Sequence, residues 1–327
     1  LAKPPAGSGP GCNTFRAPVG SALSTRWAGM QTLLLYASVV LIWGTTWAAI
    51  PYQLGVVPVP VSIGYRFIVA ALALYAFALV TRGRLGIPKS AWPAVILQGL
   101  LLFCINYLFV YYGTAFITSG LVAVVFSLIV PFNALFARLF FGTRLDARLS
   151  IAALLGTAGI VLLFLPEVRR AGESTDIYTG ILLIVAATIS ASLGNMAAIV
   201  NSNRQLPVVA TNAHGMLLGG ALSLMLALLL GQPLRFSPDS AYVISLVYLS
   251  IFGSAVAFGC YIALLRRIGA ARASYSSVLF PVVALLTSTV LEGYRWSFAA
   301  GVGILLTLIG NWLILSRNQK STTRGTR

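Results

Sequence analysis

The long apolar runs of this 327-residue chain carry few groups able to do chemistry, and only three are basic: Arg66, Arg138 and His214, the one histidine. Asp and Glu are absent from those runs, apart from Glu292 at the end of one. Such a set holds no nucleophile beside a base, no carboxylate pair and no ligand cluster. No catalytic, cofactor or metal residue is therefore assigned, and an enzyme is not expected. Cys12, Cys104 and Cys260 have neither CxxC nor metal-like spacing, which argues against a disulfide or zinc.

Binding is better supplied than bond-making. Trp43 and Trp47 lie four residues apart on one face in the middle of an apolar run, where an indole N–H needs an acceptor. Asn106, Tyr107, Tyr111, Asn133, Asn195, Tyr261, Tyr275 and Ser276 sit at similar depth. Turning an amide toward lipid costs several kcal/mol, so these groups are expected to face inward, as helix–helix bonds or as a cavity lining. Pro131 and Pro281 are placed to interrupt two helices, leaving carbonyls near Ser127 and Ser277 short of a donor. Paired interruptions of this kind point to a binding site, with an ordinary packed kink as the other reading. Arg66 fits either a clamp for a substrate carboxylate or pairing with backbone oxygens. Arg138 is expected to snorkel at a helix end, and His214 reads as a packed polar residue or a proton relay.

These side chains need elements to hold them. The chain is 58% hydrophobic and 9% charged, which excludes an ordinary soluble domain. A span takes roughly 20 apolar residues, and ten candidates fall near 31–54, 61–81, 91–115, 119–141, 149–166, 178–201, 208–231, 241–265, 273–292 and 297–316. The net charge of +16 sits in short connectors, not on one face, so nucleic acid is not the expected partner. Sixteen Lys and Arg fall on the side of the two chain ends and four on the other, placing both termini in the cytoplasm. Residues 1–29, rich in Pro and Gly, are expected to be disordered, either as upstream sequence before Met30 or as a targeting segment.

A shift of 150 residues aligns Gly44 with Gly194, Tyr111 with Tyr261, Ser127 with Ser277, Pro131 with Pro281, and Ala134-Leu135 with Ala284-Leu285. Gly159 meets Gly310 after a one-residue insertion. The reading is an all-α membrane protein of ten transmembrane helices in two five-helix repeats, 30–166 and 177–316, with a basic cytoplasmic tail at 317–327. Five is odd, so the repeats insert in opposite senses, an inverted architecture used by secondary transporters.

The runs LIWGTTWAAI (41–50), GYRF (64–67), YYGTAFITSGLVAVVFSLIVPFNAL (111–135) and SSVLFPVVALL with LEGYRWS (276–286 and 291–297) resemble EamA-type members of the drug/metabolite transporter superfamily. The similarity extends from Met30 to about Ser316. It implies a central cavity lined mainly by helices 1, 3, 4, 6, 8 and 9, with helices 5 and 10 peripheral. One departure stands out. Where the family often carries Gly-Glu after the fourth helix of a repeat, the first repeat reads Phe141-Gly142-Thr143-Arg144, and no role is carried onto Thr143.

The expected function is transport of small amphiphilic metabolites, amino acids including aromatic ones, across the cytoplasmic membrane. The candidate substrate-binding residues are Trp43, Arg66, Asn106, Tyr107, Tyr111, Ser127, Pro131, Asn195, Tyr261, Ser277 and Pro281. Without an intramembrane carboxylate, facilitated export or exchange is expected in place of ion pumping. A multidrug exporter or a nucleotide-sugar or phosphometabolite antiporter is the alternative, and the partners are the solute and the bilayer, with the chain a monomer or weak homo-oligomer.

Overall fold

The computed structural model describes residues 20–142, 147–171, 176–268, 273 and 276–322. Among these residues every regular element is helical. We number the runs α1 (Gly20–Ala49), α2 (Val59–Val80), α3 (Lys89–Thr114), α4 (Ser119–Phe141), α5 (Ala147–Ala171), α6 (Asp176–Asn203), α7 (Val208–Leu229), α8 (240–268), α9 (Ser276–Leu291) and α10 (Phe298–Thr322). Among the described residues seven helices are long and apolar enough to cross a membrane, and Leu154–Pro166, Ser276–Leu291 and Phe298–Leu313 are shorter apolar stretches.

Local chemistry sets the ends. Pro58 and Pro207 precede α2 and α7, where a missing N–H costs little. Asp239 caps α8 by accepting the Tyr242 N–H at 3.4 Å. Gly142 and Gly293 follow α4 and α9 with the same φ of 67°, a left-handed turn that glycine takes without strain. Two helices extend past the expected bounds. Residues 20–29, expected to be irregular, continue α1 because the last proline is Pro18 and nothing after it halts a helix, while 1–19 lie outside the described residues. Likewise α10 runs into the tail to Thr322 through helix-compatible Arg317, Asn318, Gln319 and Lys320. Thr143 and Tyr275 fall outside the described residues.

The packing follows one rule. α1 lies on α8 and α9, α6 on α3 and α4, α2 on α8, and α7 on α3; α2 pairs with α7, α4 with α9, and α5 with α10. Exchanging each helix for the one five places later maps this set of pairs onto itself. The same exchange relates two contacts at the α5–α10 seam, where Gly159 faces Gly303 and Gly310 faces Ala152. It also relates two π-helical segments, Gly99–Ile105 in α3 and Tyr248–Val256 in α8, about 150 residues apart. Around the bundle, large apolar side chains point outward, Leu139 at 71% and Val290 at 81% exposed, as a lipid-facing surface requires.

One buried polar network ties three helices. Gln98 Nε2 donates to Asn212 Oδ1 and accepts from Asn201 Nδ2 at its own Oε1, both at 2.9 Å, joining α3, α7 and α6. Gln98→Ala strands both asparagines in a site that water does not reach. It is expected to lower stability by about 1–3 kcal/mol, read as a reduced thermal midpoint in detergent micelles.

Candidate functional site

The expected residues are gathered into three groups. The first is aromatic. Trp43 on α1 is flanked by Phe258 and Tyr261 on α8, each at 5.3 Å between centroids, and by Phe280 on α9 at 5.5 Å. Its indole N–H donates to the Gly253 carbonyl at 3.0 Å. Gly253 belongs to the π segment of α8, where the widened turn presents a carbonyl to a neighbouring side chain. The acceptor that a mid-span indole requires is thus backbone from the other repeat. All four rings are only partly buried.

The second group is polar and lies on the helices that the repeat makes equivalent. Asn133 Oδ1 on α4 accepts from Ser192 Oγ at 2.7 Å and Asn195 Nδ2 at 3.3 Å, both on α6. Nearby, Ser190 Oγ donates to the Leu101 carbonyl at 2.7 Å and Asn106 Nδ2 to Leu102 at 3.2 Å, so the π segment of α3 also offers carbonyls to side chains. Asn106 is buried and its Oδ1 has no partner.

The third group surrounds Arg66, which is 3% exposed on α2. Its Nη1 donates to the Tyr111 hydroxyl at 3.3 Å, and that hydroxyl donates to Gln53 Oε1 at 2.5 Å. The guanidinium lies 4.5 Å from the Tyr107 ring centroid and 5.2 Å from that of Phe67. Tyr107, half-buried, covers it. The Arg66 Nε and Gln53 Nε2 atoms are buried donors without partners. An arginine held this way is a positive charge kept from water with no carboxylate beside it.

The prolines behave differently from expectation. In α4 the break falls at Ser127 and Leu128, between Ser119–Phe126 and Ile129–Phe141, so Pro131 sits in the first turn of a new segment, where its missing N–H is least costly. Ser127 Oγ donates to the Val124 carbonyl at 2.6 Å, closing the first segment. By contrast α9 runs unbroken through a buried Pro281, with Ser277 in its first turn. The break in helix assignment at Ser127 thus has no match at Pro281, whereas the two π segments do match. Their sequences, GLLLFCI and YLSIFGSAV, contain no proline, and a single glycine in each is common inside a membrane helix, so the sequence reading does not include them, nor Gln53, Phe258, Phe280 and Ser192 as members of the groups.

Two other basic side chains are structural in setting. His214 Nδ1 lies 2.8 Å from the Ala210 carbonyl, its ring packed edge-on against Tyr75 and Trp92. Arg138 Nη1 donates to the Gly142 carbonyl at its helix end. Among the described residues no group of three or more His, Cys, Asp or Glu is clustered as a metal site would need.

Known proteins are similar to this chain in sequence and in fold. The inner membrane transporter YedA of Escherichia coli (strain K12) is 28% identical over 281 residues, covering 84% of this chain and 89% of its own. Protein PagO of Salmonella typhimurium (strain LT2) is 26% identical over 298 residues, 89% of this chain and 95% of its own. A solved crystal structure matches the fold with a TM-score of 0.64 at 22% identity, over 88% of this chain and 98% of that one. The EamA-like transporter family model matches twice, at residues 30–165 and 178–316, the two halves that the helix pairing relates. A chain with both copies, a lipid-facing exterior and an interior of neutral polar and aromatic groups belongs to the EamA-like transporter family and is a membrane transporter.

Proposed function

We propose that the chain moves small amphiphilic metabolites, amino acids and especially aromatic ones, across the cytoplasmic membrane by alternating access as an exporter, facilitator or exchanger. It does so through ten transmembrane helices in two inverted five-helix repeats, with both termini in the cytoplasm. The invariance of the helix pairing under exchange of halves supports the inverted repeat. The relatives' inner-membrane naming supports the location.

The single observation that carries the solute class is the contrast between equivalent walls. The α1–α8–α9 wall presents Trp43, Phe258, Tyr261 and Phe280, and the α4–α6 wall presents Asn133, Ser192 and Asn195. A solute with an apolar or aromatic body and a hydrogen-bonding head fits between such walls. In this reading Trp43 and Tyr261 stack on the body, and Asn195 and Asn106 bind the head. Tyr107 gives access to Arg66 and Tyr111 for a carboxylate, and Ser127, Pro131, Ser277 and Pro281 line the seam between α4 and α9. A phosphorylated solute would call for several cations, and Arg66 is the buried one at this site.

Purified protein in proteoliposomes, preloaded with unlabelled phenylalanine, is expected to accumulate labelled phenylalanine by counterflow. Trp43→Ala, which removes both the ring surface and the bond to Gly253, is expected to cut the initial rate about tenfold or more. Counterflow of nucleotide sugars with none of any amino acid would overturn the proposal.

A further inference from the structure

Among the described residues, α4 and α9 are tied at one end of the bundle. At the end away from the chain termini, the Glu292 carboxylate accepts the Ser119 backbone N–H at 3.0 and 3.3 Å and the Ser288 hydroxyl at 2.5 Å. Ser119 begins α4 and Glu292 directly follows α9, so the contact ties one repeat to the other. The first amides of a helix lack intrahelical acceptors and sit at its positive end, where a carboxylate is favoured. Thr118, the residue at the cap position, makes no side-chain cap of its own. Beside the tie the helices are in close contact: a Cβ on Gly120 would come within 2.9 Å of Leu285 and Ser288 side-chain atoms. Nearly two turns deeper, Trp47 of α1 meets Phe126 of α4 at 5.1 Å.

Beyond that level the seam parts. The second segment of α4, Ile129–Phe141, has no buried residue and packs chiefly on α6, while α9 stays against α1 and the first segment of α4. Among the described residues α4 and α9 are joined at the Glu292 end and separate toward the end that holds the termini. Among the described residues the repeat gives this tie no counterpart. Gly142 and Gly293 share φ 67° at the ends of α4 and α9, so the counterpart of Glu292 is the residue before Gly142. That residue is Phe141, 39% exposed and without a carboxylate. Two similar halves can pair nearly as well with either end closed, and a charged tie at one end alone unbalances the two forms.

We propose that Glu292 is a one-sided latch that makes the form open toward the chain termini the resting state of the transporter. The inference rests on the alternating-access reading above, and adds the residue that sets which side the empty protein faces. A charge-assisted bond set of this kind is worth about a tenfold to hundredfold bias between two forms.

The test uses full-length protein in detergent with the three native cysteines replaced by alanine and one reporter cysteine at a time. Leu121→Cys is buried on the first segment of α4, next to Gly120, and Ala134→Cys lies on the second segment. Labelling by a polar maleimide is expected to be slow at 121 and fast at 134 with Glu292 present. Glu292→Gln, which keeps the shape and loses the charge, should raise the rate at 121 about tenfold and lower that at 134; Glu292→Ala should do more. Ser288→Ala, which removes one bond and leaves the carboxylate, should give a smaller shift in the same direction and serves if the Glu292 variants do not fold. Unchanged rates at both reporters in variants that melt like the parent overturn the latch. Phenylalanine counterflow reads the solute separately: shifted labelling with no counterflow supports the latch and removes the amino-acid reading.

Discussion

Arg66→Met is expected to reduce transport at least tenfold while leaving the thermal midpoint unchanged or raised. The guanidinium is 3% exposed, carries no salt bridge among the described residues, and leaves Nε without a partner. Removing a charge from water without a counter-charge costs several kcal/mol, and one hydroxyl with two aromatic faces offsets only part of that. Methionine fills similar volume with apolar atoms, and Tyr111 keeps its 2.5 Å bond to Gln53. The fold therefore loses a liability. Tyr111→Phe makes the opposite change, stripping Gln53 of its hydroxyl partner and Arg66 of its one hydrogen-bonded oxygen at Nη1, and is expected to cost about 1–3 kcal/mol of stability. Melting followed by tryptophan fluorescence, beside initial counterflow rates, separates the cases. If Arg66→Met melts well below the parent, the arginine is a structural tie and has no place in the solute site.

Much of this was legible in the residues, for a simple reason. Lipid demands long apolar runs, so the helices announce themselves, and the 150-residue register survives because each repeat must fit the other's surface. Glycines that the register paired, Gly159 with Gly310, prove to occupy matching contacts on α5 and α10. What depends on local backbone geometry was hidden. A π turn needs no special residue, so the segments at 99–105 and 248–256 read as ordinary helix, and the acceptor for Trp43 had to await Gly253. Proline drew attention because its missing N–H is written in the sequence, yet its cost depends on position. Pro131 escapes most of it by following a break at Ser127. Gln53 falls at the end of the first candidate span, 31–54, and showed its place only when α1 stopped at Ala49 and the turn at Pro51–Gln53 brought it to Tyr111. Glu292 was visible as an acid at a helix end, but its role depended on where α4 begins.

Gly303→Leu is expected to destabilise the protein by about 3 kcal/mol or more, while Gly301→Leu, two residues away on the same helix, changes stability by less than about 0.5 kcal/mol. A Cβ at Gly303 would lie 2.5 Å from the Gly159 carbonyl oxygen and 2.8 Å from the Leu163 nitrogen, both backbone atoms that no rotamer change can move. At Gly301 a Cβ meets nothing within 4 Å. Helices in lipid gain little from hiding apolar surface and associate through close packing of small residues, so prying α5 from α10 removes the contact that holds them. The paired substitutions share a helix, a residue type and a change in propensity, and differ only in what the new atoms meet; equal melting would discount this seam as a source of stability. Neither glycine is in the three candidate groups. Whatever fraction of Gly303→Leu stays folded should transport with an unchanged KM and a lowered maximal rate, the reverse of Arg66→Met, in which the fold survives and the solute site does not.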